Sequence, residues 1–146
     1  MTRDELLQLI DRAAAEGWTE LDLRDQELTE LPPEIGQLTN LQILRLGKTD
    51  WLSPGNRLTK LPPEITQLTS LTELDLSGNQ LTAVPPEITR LTSLTNLDLG
   101  FNRLTAVPPE IGQLASLTEL YLSFNQLTAV PPEIGQLTNL THLDLS

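Results

Sequence analysis

Leucine sets the rhythm of this chain. In Leu71-Thr-Glu-Leu-Asp-Leu-Ser, Leu74 and Leu76 alternate with Glu73, Asp75 and Ser77, the period-two pattern of a strand buried on one face. The stretch reopens at Leu94, Leu117 and Leu140, every 23 residues, and the units between repeat almost letter for letter. Leu41 precedes Leu71 by 30 residues, so that unit carries 7 extra, and Trp18 precedes Leu41 by the regular 23. The pattern predicts five full units and a sixth reduced to its strand. One strand per unit, always returning in the same direction, predicts a parallel sheet with neighbours about 4.8 Å apart. Asn79, Asn102 and Asn125 close the strands, where an inward amide can satisfy backbone groups left unpaired by the bend. Gln26 holds this place in the first unit, and Asn56 resumes it after the extra residues. A Pro-Pro pair then blocks strand continuation and suits a short helical turn, from which Ile88 and Leu91 face inward.

The ends and the interruption depart from this rhythm. Residues 2–16 read as an amphipathic helix, with Thr2 and Glu5 as a capping box and Gly17 as the stop. Leu6, Leu7, Ile10, Ala13 and Ala14 form its apolar face. Residues 1–17 are therefore expected to cap an array running over 18–146, since terminal repeats need a cover; a helix that binds a partner is the competing reading. The interruption lies at 47–55 and is expected to bulge from the rim of the sheet. Trp51 within it either folds back over neighbouring leucines or serves as an interface anchor. Leu140, Leu143 and Leu145 form a last strand with no following coil. The expectation is either a fragment of a longer protein or end-to-end self-association through residues 131–146.

The pattern LxxLxLxxNxL resembles the leucine-rich-repeat family over residues 18–146. Its Leu-Pro-Pro-Glu-Ile segment is similar to the 23-residue intracellular class of Ras-group leucine-rich-repeat proteins and bacterial Roco proteins. In Roco proteins such an array precedes a GTPase and a dimerisation module, and neither is found in these residues. Sheet inside the curve and turns outside give an α/β, right-handed solenoid, a horseshoe segment with a concave parallel sheet. The reading for function is a non-enzymatic protein-interaction module, with an architectural spacer or oligomerisation array as the alternative.

Charge and composition narrow the partners. A net charge of -11 disfavours nucleic acid and anionic membranes and suits a basic protein surface. With no cysteine there is no thiolate metal site or cysteine nucleophile. An acidic opening, Met1-Thr-Arg-Asp-Glu5, unlike a signal peptide, makes the cytoplasm the expected location. Gly47-Lys48-Thr49 mimics the end of a phosphate-binding loop, but Gln42 stands where the upstream glycine is required. His142 is the only histidine and reads as a solvated strand residue. No catalytic residue, cofactor or metal is expected.

The candidate site is the concave face. Its outward positions form two ladders, Glu20, Ile43, Glu73, Asn96, Glu119, His142 and Asp22, Arg45, Asp75, Asp98, Tyr121, Asp144. Stacked carboxylates repel at sheet spacing, and Arg45 is expected to relieve Asp22 and Asp75. The acids either keep the face soluble or form a groove for a basic segment; calcium bridging is a third reading, which flat ladders disfavour. Phe101, Tyr121 and Phe124 lie at the C-terminal half of this face, with Phe101 and Phe124 in equivalent positions where they should stack. These three are the expected anchors for a protein partner, with packing alone as the competing reading, and Trp51 is a separate candidate in the interruption.

Overall fold

The computed structural model describes residues 1–146. An N-terminal helix, α1 (Arg3–Glu16), precedes six strands: β1 (Glu20–Asp22), β2 (Ile43–Arg45), β3 (Glu73–Asp75), β4 (Asn96–Asp98), β5 (Glu119–Tyr121) and β6 (His142–Asp144). They form one parallel sheet in chain order, with Glu20 beside Ile43, Ile43 beside Glu73, and so on to His142. The 30-residue spacing costs nothing in register, because the extra residues leave after β2 and return before Asn56. The chain is a leucine-rich-repeat solenoid.

The first five strands bury their middle leucine: Leu21 is 3% exposed, and Leu44, Leu74, Leu97 and Leu120 are all 0% exposed. The proline pairs open 3₁₀ turns as expected, with the second proline in the first position, as in Pro63–Gln67 and Pro86–Arg90. Ile88 and Leu91 point into the core. Thirty-three buried residues, all Leu, Ile, Val or Ala, join into one continuous core. At the N-terminal end α1 closes that core with Leu6, Ile10 and Ala13. Leu9, rather than the expected Leu7, adds to this contact beside Ala14 and Trp18. The capping box at Thr2 and Glu5 is formed, and Gly17 ends the helix at φ 65°, a conformation that suits glycine. In the last strand Leu143 and Leu145 are 37% and 48% exposed.

Asparagine sews the units together. The Asn102 Nδ2 donates to the carbonyls of Leu76, one unit back, and Leu99, while its Oδ1 accepts from Leu81 N–H at 3.0 Å. Asn56, Asn79 and Asn125 make the same three bonds, two to the preceding unit and one within their own. Gln26 reaches only Arg24 O, in its own unit. On the convex side, Gly36 lets the first turn sit close against Glu64. Thr66 takes that slot in the second turn, and a cavity of ≈ 390 Å³ lies between the second and third turns, lined by Leu61, Glu64, Glu87 and Arg90 among others. No helix is long and apolar enough to cross a membrane.

Candidate functional site

The pleat sends both ladders to the concave face, so their partners follow from the register alone. Arg45 does not pair as expected. Its guanidinium turns to the neighbouring ladder, with Nε 3.0 Å from Glu73 and Nη1 3.9 Å from Glu20. Asp22 is already held by Arg24, two residues on, at 2.6 Å, and this bond lowers its pKa. Further along, Glu119 Oε2 accepts from Asn96 Nδ2 at 3.0 Å and from the Tyr121 hydroxyl at 2.7 Å. That bond to a carboxylate, with added burial, pushes the phenol up to about 12. Asp144 is bonded by Ser146, which lowers its pKa.

Four ladder carboxylates, Asp75, Asp98, Glu119 and Asp144, lie outside every ion pair, and Asp75 and Asp98 are the two among them whose pKa burial raises. Asp75 and Asp98, adjacent in the middle of the sheet, have no cation within bridging distance. Burial raises the pKa of both. Asp98 rises to about 6, helped by the negative charges of Asp75 and Asp144. Each keeps one backbone bond, Asp75 from Ser77 N–H at 2.9 Å and Asp98 from Gly100 N–H at 2.9 Å. No three carboxylate or imidazole groups converge to hold a metal ion.

The aromatic residues gather differently from expectation. Phe101 and Phe124 do stack, with ring centres 4.4 Å apart and planes at 10°. Tyr121 lies against His142 instead, at 5.0 Å, and stands apart from that stack. The third ring on the phenylalanines is Trp51, edge-on to Phe101 at 5.0 Å and to Phe124 at 5.9 Å. Trp51 thus folds back, but over aromatic rings and not over leucines, and it stays 73% exposed.

The backbone beneath this cluster is unusual. The residue before each closing amide is left-handed: Asp25 (φ 57°), Gly55 (66°), Gly78 (63°), Phe101 (55°) and Phe124 (54°). Glycine is at ease there, whereas a bulky residue costs about 1–2 kcal/mol. Units two and three show that the fold accepts glycine in this slot, so it does not itself require phenylalanine.

The insertion is equally built. Asp25 accepts from both of its arms, from Thr49 N–H (3.1 Å) and hydroxyl (2.6 Å) and from Gly55 N–H (3.0 Å). Asp50 caps its tip through Leu52 N–H and Ser53 N–H. Lys48 crosses Gly78, whose absent Cβ would meet its Cγ and Cδ at 2.8 Å, and sets Nζ 4.0 Å from the Phe101 ring centre. Between insertion and sheet lies a cavity of ≈ 380 Å³, lined by Lys48, Thr49, Asp50, Trp51, Ser77, Asp98 and Phe101. Sequence reasoning missed Lys48 and Asp25. The only signal for Asp25 was an acid where later units carry glycine or phenylalanine.

A family model for a leucine-rich repeat region matches residues 52–146. A leucine-rich-repeat protein of Leptospira interrogans is 45% identical, with a TM-score of 0.82, over 92% of this chain and 33% of its own. The ectodomain of an Arabidopsis thaliana membrane receptor kinase, solved in complex with Casparian strip integrity factor 2, is 37% identical. There the TM-score is 0.79, over 92% of this chain and 16% of that one. A plant peptide hormone receptor in complex with RGF2 is 36% identical, with a TM-score of 0.71, over 81% of this chain and 18% of that one. The chain spans a third or less of the length of these structures. No curated protein matches it.

Proposed function

The chain belongs to the leucine-rich-repeat family, and from that premise we propose that it is a non-enzymatic module binding a protein partner on its concave face. The observation that carries this is the exposed aromatic cluster beside unpaired Asp75 and Asp98. Exposed rings next to uncompensated carboxylates favour a partner segment that brings apolar surface and positive charge together. The complexes of the receptor-kinase ectodomain with Casparian strip integrity factor 2 and of the peptide hormone receptor with RGF2 support the same reading. The 23-residue unit with its Leu-Pro-Pro-Glu-Ile segment supports a place as the recognition part of a larger Roco-like signalling protein, working in the cytoplasm. The net charge of -11 argues against nucleic acid and anionic membranes as partners.

The test is partner capture from source-cell lysate by the intact chain and by a variant with Phe101, Tyr121 and Phe124 all changed to Ala. Binding should weaken by at least about 2 kcal/mol, the scale of interface hot spots. Alanine keeps the left-handed backbone cost in place, so the melting curve should move much less. A triple variant that captures the partner normally would sink the concave reading.

A further inference from the structure

We infer that the cavity between the insertion and β3–β5 is a subsite for a cationic side chain of the partner, and that Lys48 is its resident stand-in. This rests on the concave face being the partner-binding face. Three independent features meet there. Trp51 and Phe101 supply an aromatic wall, Asp98 supplies a half-buried carboxylate that no cation of the chain pairs, and a cation already sits against the wall.

The resident cation shows what chemistry the wall accepts. Lys48 Nζ is 4.0 Å from the Phe101 centre and 5.3 Å from the Trp51 centre, both inside the reach of cation–π attraction, about 6 Å. Yet it makes no ion pair, with Asp98 or any other acid. Lys48 therefore satisfies the rings and leaves the carboxylate unanswered. An incoming arginine has a planar guanidinium that can stack on a ring while its edge donates to a carboxylate. It can meet both demands at once, which a point-charge ammonium held at the ring does not. The cavity, ≈ 380 Å³, exceeds the lower bound of ligand pockets, about 300 Å³.

The cost of building the wall supports a purpose beyond folding. Phe101 and Phe124 are held left-handed where glycine serves two earlier units, and the insertion is anchored by Asp25 so that Trp51 lands on them. Backbone strain of this kind concentrates where a surface is arranged for a ligand. Asp98 also holds a raised pKa because of burial and neighbouring acids, a penalty that an arriving cation would relieve.

The experiment titrates the full chain with the capped pentapeptide Gly-Gly-Arg-Gly-Gly and with its neutral citrulline analogue. Amide shifts of Gly78 and Phe101 and the Trp51 indole signal report binding by NMR. The arginine peptide should move all three signals, and the citrulline peptide should bind at least about fivefold more weakly. Lys48→Ala should tighten the arginine peptide about threefold to tenfold by vacating the wall, whereas Lys60→Ala, with the same loss of charge, should not. Trp51→Ala should weaken it by about tenfold. A Lys48→Ala variant that binds no tighter than Lys60→Ala, or equal binding of the citrulline peptide, overturns the subsite. Shifts confined to other residues overturn it too. If the subsite fails while the triple alanine variant still loses its partner, the concave reading stands. The converse result separates them the other way.

Discussion

Replacing Asp98 by Asn should stabilise the chain at pH 8 and do nothing for it at pH 4. The Asp98 carboxyl has an ordinary pKa of 3.8 and rises to about 6 in the folded state, mainly through burial. Between those values the folded chain holds a proton that the unfolded chain has released. Stability therefore falls as pH rises from about 4 to about 6, and above that the full cost of the buried charge applies. At 1.36 kcal/mol for each pKa unit the cost comes to about 3 kcal/mol. Asparagine keeps an Oδ1 that can accept the Gly100 N–H bond, now 2.9 Å long, so the turn after β4 is retained. The Gly100 bond to the charged form is already contained in that pKa, so the expected net gain at pH 8 stays about 3 kcal/mol. Urea unfolding of both chains at pH 4, 6 and 8 measures the gap directly. Carboxylates with lowered pKa, such as Asp22 and Asp144, act with opposite sign but are shared by both chains and largely cancel. A gap that is the same at pH 4 and pH 8, or a variant less stable at pH 8, would refute burial as the cause.

Two further outcomes follow from the solenoid itself. Asn102→Ala should cost about 2 kcal/mol in urea unfolding, since it strands the buried Leu81 N–H and removes one of the two amide donors to the Leu76 carbonyl, whereas Gln26→Ala should cost under about 1 kcal/mol. Equal losses at the two sites would show that the links between units contribute little. Deleting Lys48–Pro54 joins Gly47 to Gly55 and recreates the Leu-Gly-Gly-Asn spacing matched by Leu76-Ser77-Gly78-Asn79. The chain should stay folded by circular dichroism, within about 1 kcal/mol, because shortening a surface loop costs little; an unfolded product would make the insertion part of the core.

Legibility in the sequence depended on whether the repeat fixed a residue's neighbours. Repeat spacing determines the strand register, because residues at equal places in successive units must face each other once the strands are parallel. Both ladders, the Phe101–Phe124 stack and the asparagine links follow from that rule. Arg45 escaped it. Its long side chain reaches diagonally, and the nearer Arg24 had already claimed Asp22, so the guanidinium turned to Glu20 and Glu73. Tyr121 escaped it for a similar reason, drawn to Glu119 and His142 by its hydroxyl and ring. The insertion has no counterpart one unit away, so periodicity says nothing about its path. Its course depends on Asp25, a long-range partner that no local pattern reveals.

A near-identical array has a difficulty as a recognition surface: identical units offer a ligand several equivalent registers, and none is preferred. Specificity must come from positions where units differ. The left-handed slot before each closing amide is such a position, since it points outward and the fold accepts several residues there. Read along the solenoid it runs Asp25, Gly55, Gly78, Phe101, Phe124. The acid anchors the insertion, the second glycine lets Lys48 pass across the sheet, and the two rings receive Trp51 and Lys48. The acid, the second glycine and the ring pair have separate tasks, and the tasks share one destination beside Asp98. One slot, holding three residue types over five units of an otherwise regular scaffold, thus gives the repeat a polarity and the proposed binding site a feature that sets it apart from the rest of the array.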